Sequence, residues 1–401
     1  MNYFSKLTAV SLLGGMLAFG VIPNAAAQTP AEVLKPYKAY NAAMTAGDYK
    51  TAIKQAKAAW QAAEKSMGEN STTGDLAFNY GFVEKNQGTA KKAIKPLKRA
   101  VELATFQKMD AALIQTEREI ELISALEAAG EGGKAAKRVT SALKFAQKSG
   151  LSDSVYTGEL HLLNANACYR NLNRKVDRGQ QQTGSLVKTG GSENSIRDGR
   201  EKCAQIAQRA IDIFKLHPDT ARPVYVAAAY NYVGFAMEAK KSWFSAAMSY
   251  QNARGAVEAI YDRDTPIVAQ SIGRWLNARN YLKRTGRLEY ALDNGLCECW
   301  PFSNERGVAV EPTKTVDPKF PAGALNHTSG YAIVQFDVSD SGKTENIRIL
   351  SSWPRDVYDK SAITAISQWE YPAKRTGEPA NFRKNLTEPL SYFLKQGLSP
   401  I

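Results

Sequence analysis

The sequence predicts an α+β multidomain protein, in which an all-α solenoid of helical repeats is followed by a small α+β domain with a three-stranded antiparallel sheet and one helix. Alanine-rich segments with apolar residues three or four positions apart recur from Pro30 to about Leu296 and predict paired helices. Within residues 330–352 the apolar residues alternate with period two, which predicts strands. The chain of 401 residues has room for two or three domains.

Residues 1–27 predict a secretory signal peptide. Lys6 is the only charged residue, an apolar run covers residues 7–22, and Ala25 and Ala27 are the small residues of a cleavage site. The apolar run is shorter than the ~20 residues of a membrane-spanning helix, and an uncleaved anchor is the alternative. After removal of the signal we predict an exported protein with no membrane span.

Residues 28–296 are predicted to form stacked helical pairs. Residues 40–60 contain a helix of small residues, a glycine, and a second helix with alanines along one face. Residues 78–103 repeat this unit, with Gly88 in the place of Gly47, 41 residues later. Looser copies cover residues 126–146, 233–253 and 280–292. Because small residues recur where paired helices approach closely, the region resembles the tetratricopeptide repeat, although its repeats are longer than the usual ~34 residues.

Residues 172–199 interrupt the helical pattern with glycine, glutamine, serine and charged residues, and they predict an exposed, mobile insertion. Cys168 and Cys203 flank this insertion. Because the chain has four cysteines and is predicted to be exported, we expect disulfides. Cys297 and Cys299 are two residues apart. They are predicted to form a tight bridge, to pair elsewhere, or to be a redox-active pair.

The basic charge is concentrated in the helical region. Of the net charge of +13, +1 falls on residues 1–27 and +1 on the residues from Gly307 onward, which leaves +11 for residues 28–306. A basic surface favours anionic partners such as lipid head groups, acidic wall polymers including peptidoglycan, or acidic proteins. A solvated basic surface without a specific partner is the alternative. The export signal argues against nucleic acid as a partner.

No motif in the sequence predicts an enzyme. The histidines His161, His217 and His327 are scattered without metal-ligand spacing. The sequence contains no nucleophile motif and no phosphate-binding loop. We therefore predict no catalytic residue, no metal site and no cofactor. Thiol–disulfide exchange at Cys297 and Cys299 is the alternative, since its reactivity depends on surroundings that the sequence does not reveal.

Residues 297–318 are predicted to be a linker and residues 319–401 a small domain. Within residues 330–352, Ala332 and Val334 begin an alternating apolar face, and SDSGK is typical of a hairpin turn. An apolar stripe then predicts a helix that packs on this hairpin. The stripe consists of Tyr358, Ala362, Ala365, Ile366 and Trp369. Asp356 is the predicted N-cap.

The end of this helix is marked by Trp369, Tyr371 and Pro372. Pro372 prevents the helix from continuing and disfavours helical geometry at Tyr371. Trp369 is therefore predicted to be the last anchor of the helix on the hairpin. A third strand is predicted over residues 387–394, and because Pro389 lacks an amide hydrogen, we expect an edge strand.

This order of elements resembles the C-terminal domain of TonB-family energy transducers. The resemblance rests on DPKFPAGAL (317–325), VQFDVSDSGKTENIRILSS (334–352) and YDKSAITAISQWEYPA (358–373), and it covers about residues 312–397. It implies a periplasmic module that adds an extended peptide of an outer-membrane receptor to a sheet edge. A full transducer has a membrane anchor and a proline-rich spacer, whereas this chain has a predicted signal peptide and helical repeats.

The candidate binding edge in this domain consists of Leu390, Ser391, Tyr392 and Phe393. The alternative for these residues is core packing, since alternate side chains of any strand point to the same face.

Three functions remain open. The leading one is a non-enzymatic periplasmic adaptor: the helical repeats bind one protein, and the TonB-like domain binds an outer-membrane receptor or another envelope component, in transport across the envelope. The second is a cell-envelope structural protein that holds peptidoglycan or anionic lipid. The third is a thiol–disulfide protein acting through Cys297 and Cys299.

Overall fold

The computed structural model describes residues 29–107, 110–183, 193–263, 265–297, 310–321 and 329–393. The predicted signal peptide, the centre of the predicted insertion, most of the predicted linker and Cys299 lie outside the described residues.

The helices of the described region follow one another with short connections. They are α1 (Ala31–Thr45), α2 (Tyr49–Ser66), α3 (Ser71–Gln87), α4 (Ala90–Glu102), α5 (Ala111–Ala128), α6 (Gly132–Lys148), α7 (Val155–Thr183), α8 (Glu193–Leu216), α9 (Pro223–Ala239), α10 (Trp243–Val257), α11 (Pro266–Arg284) and α12 (Leu288–Asp293). Local sequence sets several starts: Asp48 accepts a hydrogen bond from the amide of Thr51 ahead of α2, and Pro223 and Pro266 begin α9 and α11. None of these described helices is long and apolar enough to cross a membrane.

The described residues form two compact units. The first contains residues 29–171 and 205–221, and the second contains residues 172–204 and 222–393. In the first unit consecutive helices pack through small residues: Ala52, Ala56 and Ala59 of α2 are buried. In α3, a Cβ added at Gly81 would lie 2.5 Å from Cγ of Leu97, so only glycine permits this approach of α3 to α4.

The predicted insertion is helical wherever it is described. Helix α7 continues to Thr183 and α8 starts at Glu193. Residues 172–183 and 193–199 of the predicted insertion are thus helical, and its exposure and mobility stay a prediction. Polar helix formers can continue a helix without an apolar stripe when the adjoining turns are already helical. Cys168 and Cys203 are both disulfide-bonded, which confirms the expectation of disulfide bonding.

The second unit contains the predicted sheet. Its strands are β1 (Ser329–Val338), β2 (Thr344–Trp353) and β3 (Leu386–Phe393), and α13 (Asp359–Ile366) lies between β2 and β3 in the sequence. The order across the sheet is β2-β1-β3, and both pairs are antiparallel. The predicted fold class and the edge position of β3 are confirmed.

Both faces of β1 are buried. Ala332 and Val334 belong to the core beneath α13, whereas Tyr331 and Ile333, which point the other way, are also fully buried. Helix α11 contacts β1 and β3, and a Cβ added at Gly273 of α11 would lie 3.4 Å from the ring of Tyr331. The run YAIV at 331–334 is continuously apolar, as is typical of a strand covered on both faces.

Candidate binding edge of the C-terminal sheet

Helix α13 covers one face of the sheet with the apolar stripe that the sequence predicts. The buried residues of this core are Ala332, Val334, Phe336, Val338, Tyr358, Ala362, Ala365, Ile366, Trp369, Tyr371, Leu390 and Tyr392. The rings of Tyr358 and Tyr392 stack with their centroids 4.2 Å apart. Burial raises the pKa of Tyr392 to about 12, so its hydroxyl group stays protonated and can donate to the carbonyl oxygen of Tyr358.

The helix itself is shorter than predicted. It ends at Ile366, and Trp369 lies beyond its last turn. Asp356, the predicted N-cap, has a φ of +63°, and Tyr358 occupies the N-cap position. The apolar stripe extends past the end of the helix because the chain keeps Trp369 on the same side of the sheet through a turn.

Trp369 anchors the segment that precedes β1. Its side chain is buried, and its indole N–H donates a hydrogen bond to the carbonyl oxygen of Val316 at 3.0 Å. Its ring meets that of Phe336 edge to face, with centroids 6.4 Å apart. Next to it, the amide of Glu370 donates to the carbonyl oxygen of Lys314 at 3.0 Å. The indole therefore holds an otherwise irregular segment against the core.

Tyr371 and Pro372 attach the following residues to the hairpin turn. The amide of Tyr371 donates to the carbonyl oxygen of Gly342 at 2.9 Å. Gly342 has a φ of +86°, and a Cβ there would lie 2.1 Å from the carbonyl oxygen of Tyr371, so the position requires glycine. The buried guanidinium of Arg383 donates to the carbonyl oxygens of Pro372 at 3.0 Å and Ser339 at 3.1 Å.

Strand β3 pairs with β1 along one side, and no described strand pairs with its other side. Pro389 lies opposite Ile333. Since Pro389 has no N–H and in an antiparallel pair the backbone groups alternate in direction, Pro389 directs its carbonyl group outward. By the same alternation, the N–H and C=O groups of Thr387, Ser391 and Phe393 face outward. These groups form the free edge.

The free edge is interrupted at its centre. The side-chain amide of Asn280, on α11, donates a hydrogen bond to the carbonyl oxygen of Pro389 at 3.1 Å. Pro389 thus offers an incoming strand neither a donor nor an unoccupied acceptor. Both kinds of backbone group are available at Thr387 before Pro389 and at Ser391 and Phe393 after it, so the two consecutive available positions lie after Pro389.

The opposite edge of the sheet belongs to β2. Two register shifts interrupt its pairing with β1, one between Ile333 and Val334 and one between Gln335 and Asp337. Such irregularities bend and twist an edge strand and hinder edge-to-edge pairing. The pairing of β1 with β3 shows no register shift from Ser329 to Phe336, so β3 presents the more regular edge.

The sequence comparisons with known proteins concern this domain. Residues 317–387 match the family model of the Gram-negative bacterial TonB protein C-terminal region. Residues 317–387 form a TonB C-terminal-like domain. Protein TonB of Klebsiella aerogenes is 41% identical over 66 residues, which are 16% of this chain and 27% of that protein. Protein TonB of Salmonella typhimurium is 34% identical over 61 residues, which are 15% of this chain and 25% of that protein.

This chain thus spans about a quarter of the length of the curated relatives that it matches. The crystal structure of BtubC (BKLC) from P. vanneervenii aligns with 66% of this chain and 90% of its own, at a TM-score of 0.42 and 14% identity. This likeness is too low to assign a fold to the helical region.

The predicted binding residues of the TonB C-terminal-like domain divide between the core and the free edge of β3. Leu390 and Tyr392 are buried, with 7% and 3% of their surface exposed, and their side chains belong to the core under α13. Ser391 alternates with them, and its backbone groups face the free edge. The binding role of the edge stays a prediction.

Sequence reasoning missed Asn280 and Arg383. Asn280 precedes Pro389 by 109 residues, so no local pattern connects the two. Arg383 stands in a polar segment that reads as a loop, yet only 2% of its surface is exposed.

Proposed function

We propose that this chain is a non-enzymatic interaction protein of the periplasm, whose TonB C-terminal-like domain binds an extended segment of an outer-membrane receptor or another envelope protein by strand addition to β3. The supporting observation is the free edge of β3: among the described residues, the outward backbone groups of Ser391 and Phe393 have no backbone partner. An edge of this kind accepts a further strand through main-chain hydrogen bonds.

The interruption at Pro389 limits where the partner segment adds. Upstream of Ser391, an added strand meets a position without N–H and with its carbonyl group already bonded to Asn280. The partner segment therefore pairs with Ser391 and Phe393, the two consecutive outward positions after Pro389. Few main-chain hydrogen bonds are available on this short edge, so side-chain contacts of the partner must supply part of the affinity and the specificity.

The helical region binds a second partner in this proposal. Helices α1 to α6 pack in sequence order within the first unit, and α9 to α11 do so within the second. Such packing creates extended surfaces in helical-repeat proteins. The net charge of +11 on residues 28–306 favours an acidic partner. The chain would act as an adaptor in transport across the envelope, with any pulling force supplied by another protein.

A photo-crosslinking amino acid at Ser391 tests the strand addition in living cells. We expect adducts with an envelope protein from position 391, and none from a matched probe at Ile363, which is exposed on α13. Mass spectrometry identifies the adduct. Recovery of wall fragments alone would contradict the proposal and favour a structural protein of the envelope that holds peptidoglycan.

Two substitutions of Ser391 distinguish binding through the backbone N–H from binding through the side chain. Ser391→Pro removes the outward N–H and leaves the bonds to β1 intact, as Pro389 does two positions earlier. We expect it to abolish the adducts formed from a probe at Phe393. Ser391→Ala keeps the N–H and should preserve them. Equal adduct yields from the two variants would show that β3 does not bind through its edge.

A further inference from the structure

A cleft in the first compact unit lies outside the TonB C-terminal-like domain. It lies between α6, α7 and the part of α8 that follows residue 205, and its volume is about 420 Å³. This volume falls within the ~300–1,000 Å³ of small-molecule sites. The lining includes Lys144 and Gln147 of α6, Thr157, His161 and Asn164 of α7, and Arg209 of α8.

The charge of the lining is entirely positive. It contains Lys144 and Arg209 and no carboxylate. Other cations of this unit have acidic partners: Arg99 binds Glu64 at 2.9 Å, and Arg118 binds Asp75. Within the described part of the chain, neither Lys144 nor Arg209 has an ion pair. Two cations thus converge on one cleft without a counter-charge from the protein.

His161 lies in the same cleft with an unused nitrogen. Its Nδ1 is buried and has no hydrogen-bond partner among the described residues. Burial lowers the pKa of His161, and the charge of Arg209 lowers it further, so the imidazole is neutral near pH 7. Buried polar atoms normally have a partner, and the side-chain amide of Asn164 adds a further polar group to the lining.

We propose that this cleft binds a small organic anion through a carboxylate or phosphate group, which Arg209 and Lys144 hold while His161 and Asn164 contact its polar atoms. A guanidinium group presents paired donors that match the oxygen atoms of such a group. The lysine supplies a second, more flexible positive charge. The proposal is independent of strand addition at β3, because the residues involved belong to the first unit.

Calorimetric titration of the full chain tests the site with defined probes. Inorganic phosphate and glycerol 3-phosphate represent phosphates, citrate and succinate represent carboxylates, and glucose is the neutral control. We expect at least one anion to bind and glucose not to bind, and the stronger class identifies the ligand. Failure of all four anions to bind at millimolar concentration would overturn the proposal.

Variants distinguish a site from general attraction to a basic protein. Arg209→Gln and Lys144→Gln should each weaken the binding at least tenfold, because each removes one of the two charges in the cleft. Lys215→Gln removes an exposed charge from the same helix α8 outside the lining and should leave the affinity within twofold. An equal loss in all three variants would show non-specific attraction and contradict the site.

Nuclear magnetic resonance gives a direct readout of contact. Addition of the anion should shift the imidazole signal of His161 and leave that of His217 unchanged, since His217 does not line the cleft. A shift of His217 alone would place the anion elsewhere and overturn the proposal.

Discussion

Helices α1 to α6 and the C-terminal sheet differ in the residues that bring their elements together. The helices approach through alanine and glycine, as at Ala52 and Gly81. The sheet is held against its neighbouring segments by large aromatic residues and by side chains that donate hydrogen bonds to distant carbonyl groups, as at Trp369 and Arg383. The contacts of the helices join neighbours in sequence, whereas those of the sheet join segments far apart. We therefore expect larger side chains to destabilise the packing of the helices, and smaller side chains to destabilise the C-terminal sheet.

Removal of the indole at position 369 should have the largest effect. Trp369→Ala deletes a buried ring and the hydrogen bond to Val316, and such changes cost about 3–5 kcal/mol of the free energy of unfolding. Hydrogen exchange should show lost protection in β1, β2 and β3 and unchanged protection in α1 to α6. Trp60→Ala, which removes a buried ring in α2, should give the opposite pattern. Uniform loss of protection would contradict the distinction between the two regions.

Addition of one methyl group between α3 and α4 should have the next largest effect. Gly81→Ala places a Cβ 2.5 Å from Cγ of the fully buried Leu97, and overpacking of this kind costs about 1–3 kcal/mol. Gly133→Ala in α6 is the control, since nothing lies within 4 Å of its added Cβ. It should stabilise the helix by up to about 1 kcal/mol. Denaturant unfolding measures both changes, and the same sign for both would refute the close approach.

Loss of the side chain at position 280 should have a smaller effect. Asn280→Ala removes the hydrogen bond to the carbonyl oxygen of Pro389 and should cost about 0.5–1.5 kcal/mol of the free energy of unfolding. It also leaves this acceptor available to an added strand, so crosslinking from Thr387 should increase. Lys283→Ala, at an exposed position of α11, is the control and should change neither quantity. Reduced crosslinking in the Asn280 variant would indicate that Asn280 supports the partner.

Acid titration should show the smallest effect, at Asp337. Burial by itself raises the pKa of this carboxyl group, but hydrogen bonds from the amide of Asn385 and from Asn346 and Lys384 outweigh it and lower the pKa overall. The stabilisation is therefore complete above the unfolded value of about 3.9 and is lost as the pH falls through the lower folded value. Asp337→Asn should lower stability at pH 7 and flatten its decline below pH 4. If the decline of stability below pH 4 is the same in the variant, the carboxyl group of Asp337 does not contribute to the stability.

The residues that the sequence placed correctly are those with local signals. The alternation at Ala332 and Val334 specifies a strand, and Pro389 specifies an edge, because period and missing amide are properties of short segments. The end of α13 was placed wrongly, since the apolar stripe continues to Trp369 while the helix stops at Ile366. The spacing of apolar residues predicts which of them face the core, but it does not predict where the helix ends. A turn after the helix can also direct a side chain such as that of Trp369 toward the core.

Composition, periodicity and turn residues were sufficient to define the two kinds of architecture in this chain, the stacked helices and the small sheet with its helix. The contact of α11 with the second face of β1, the hydrogen bond from Asn280 to the carbonyl group of Pro389 and the convergence of Lys144, His161 and Arg209 in one cleft follow only from the folded arrangement. Each joins residues of separate elements, and such contacts depend on how whole helices and strands pack, which no short stretch of sequence encodes.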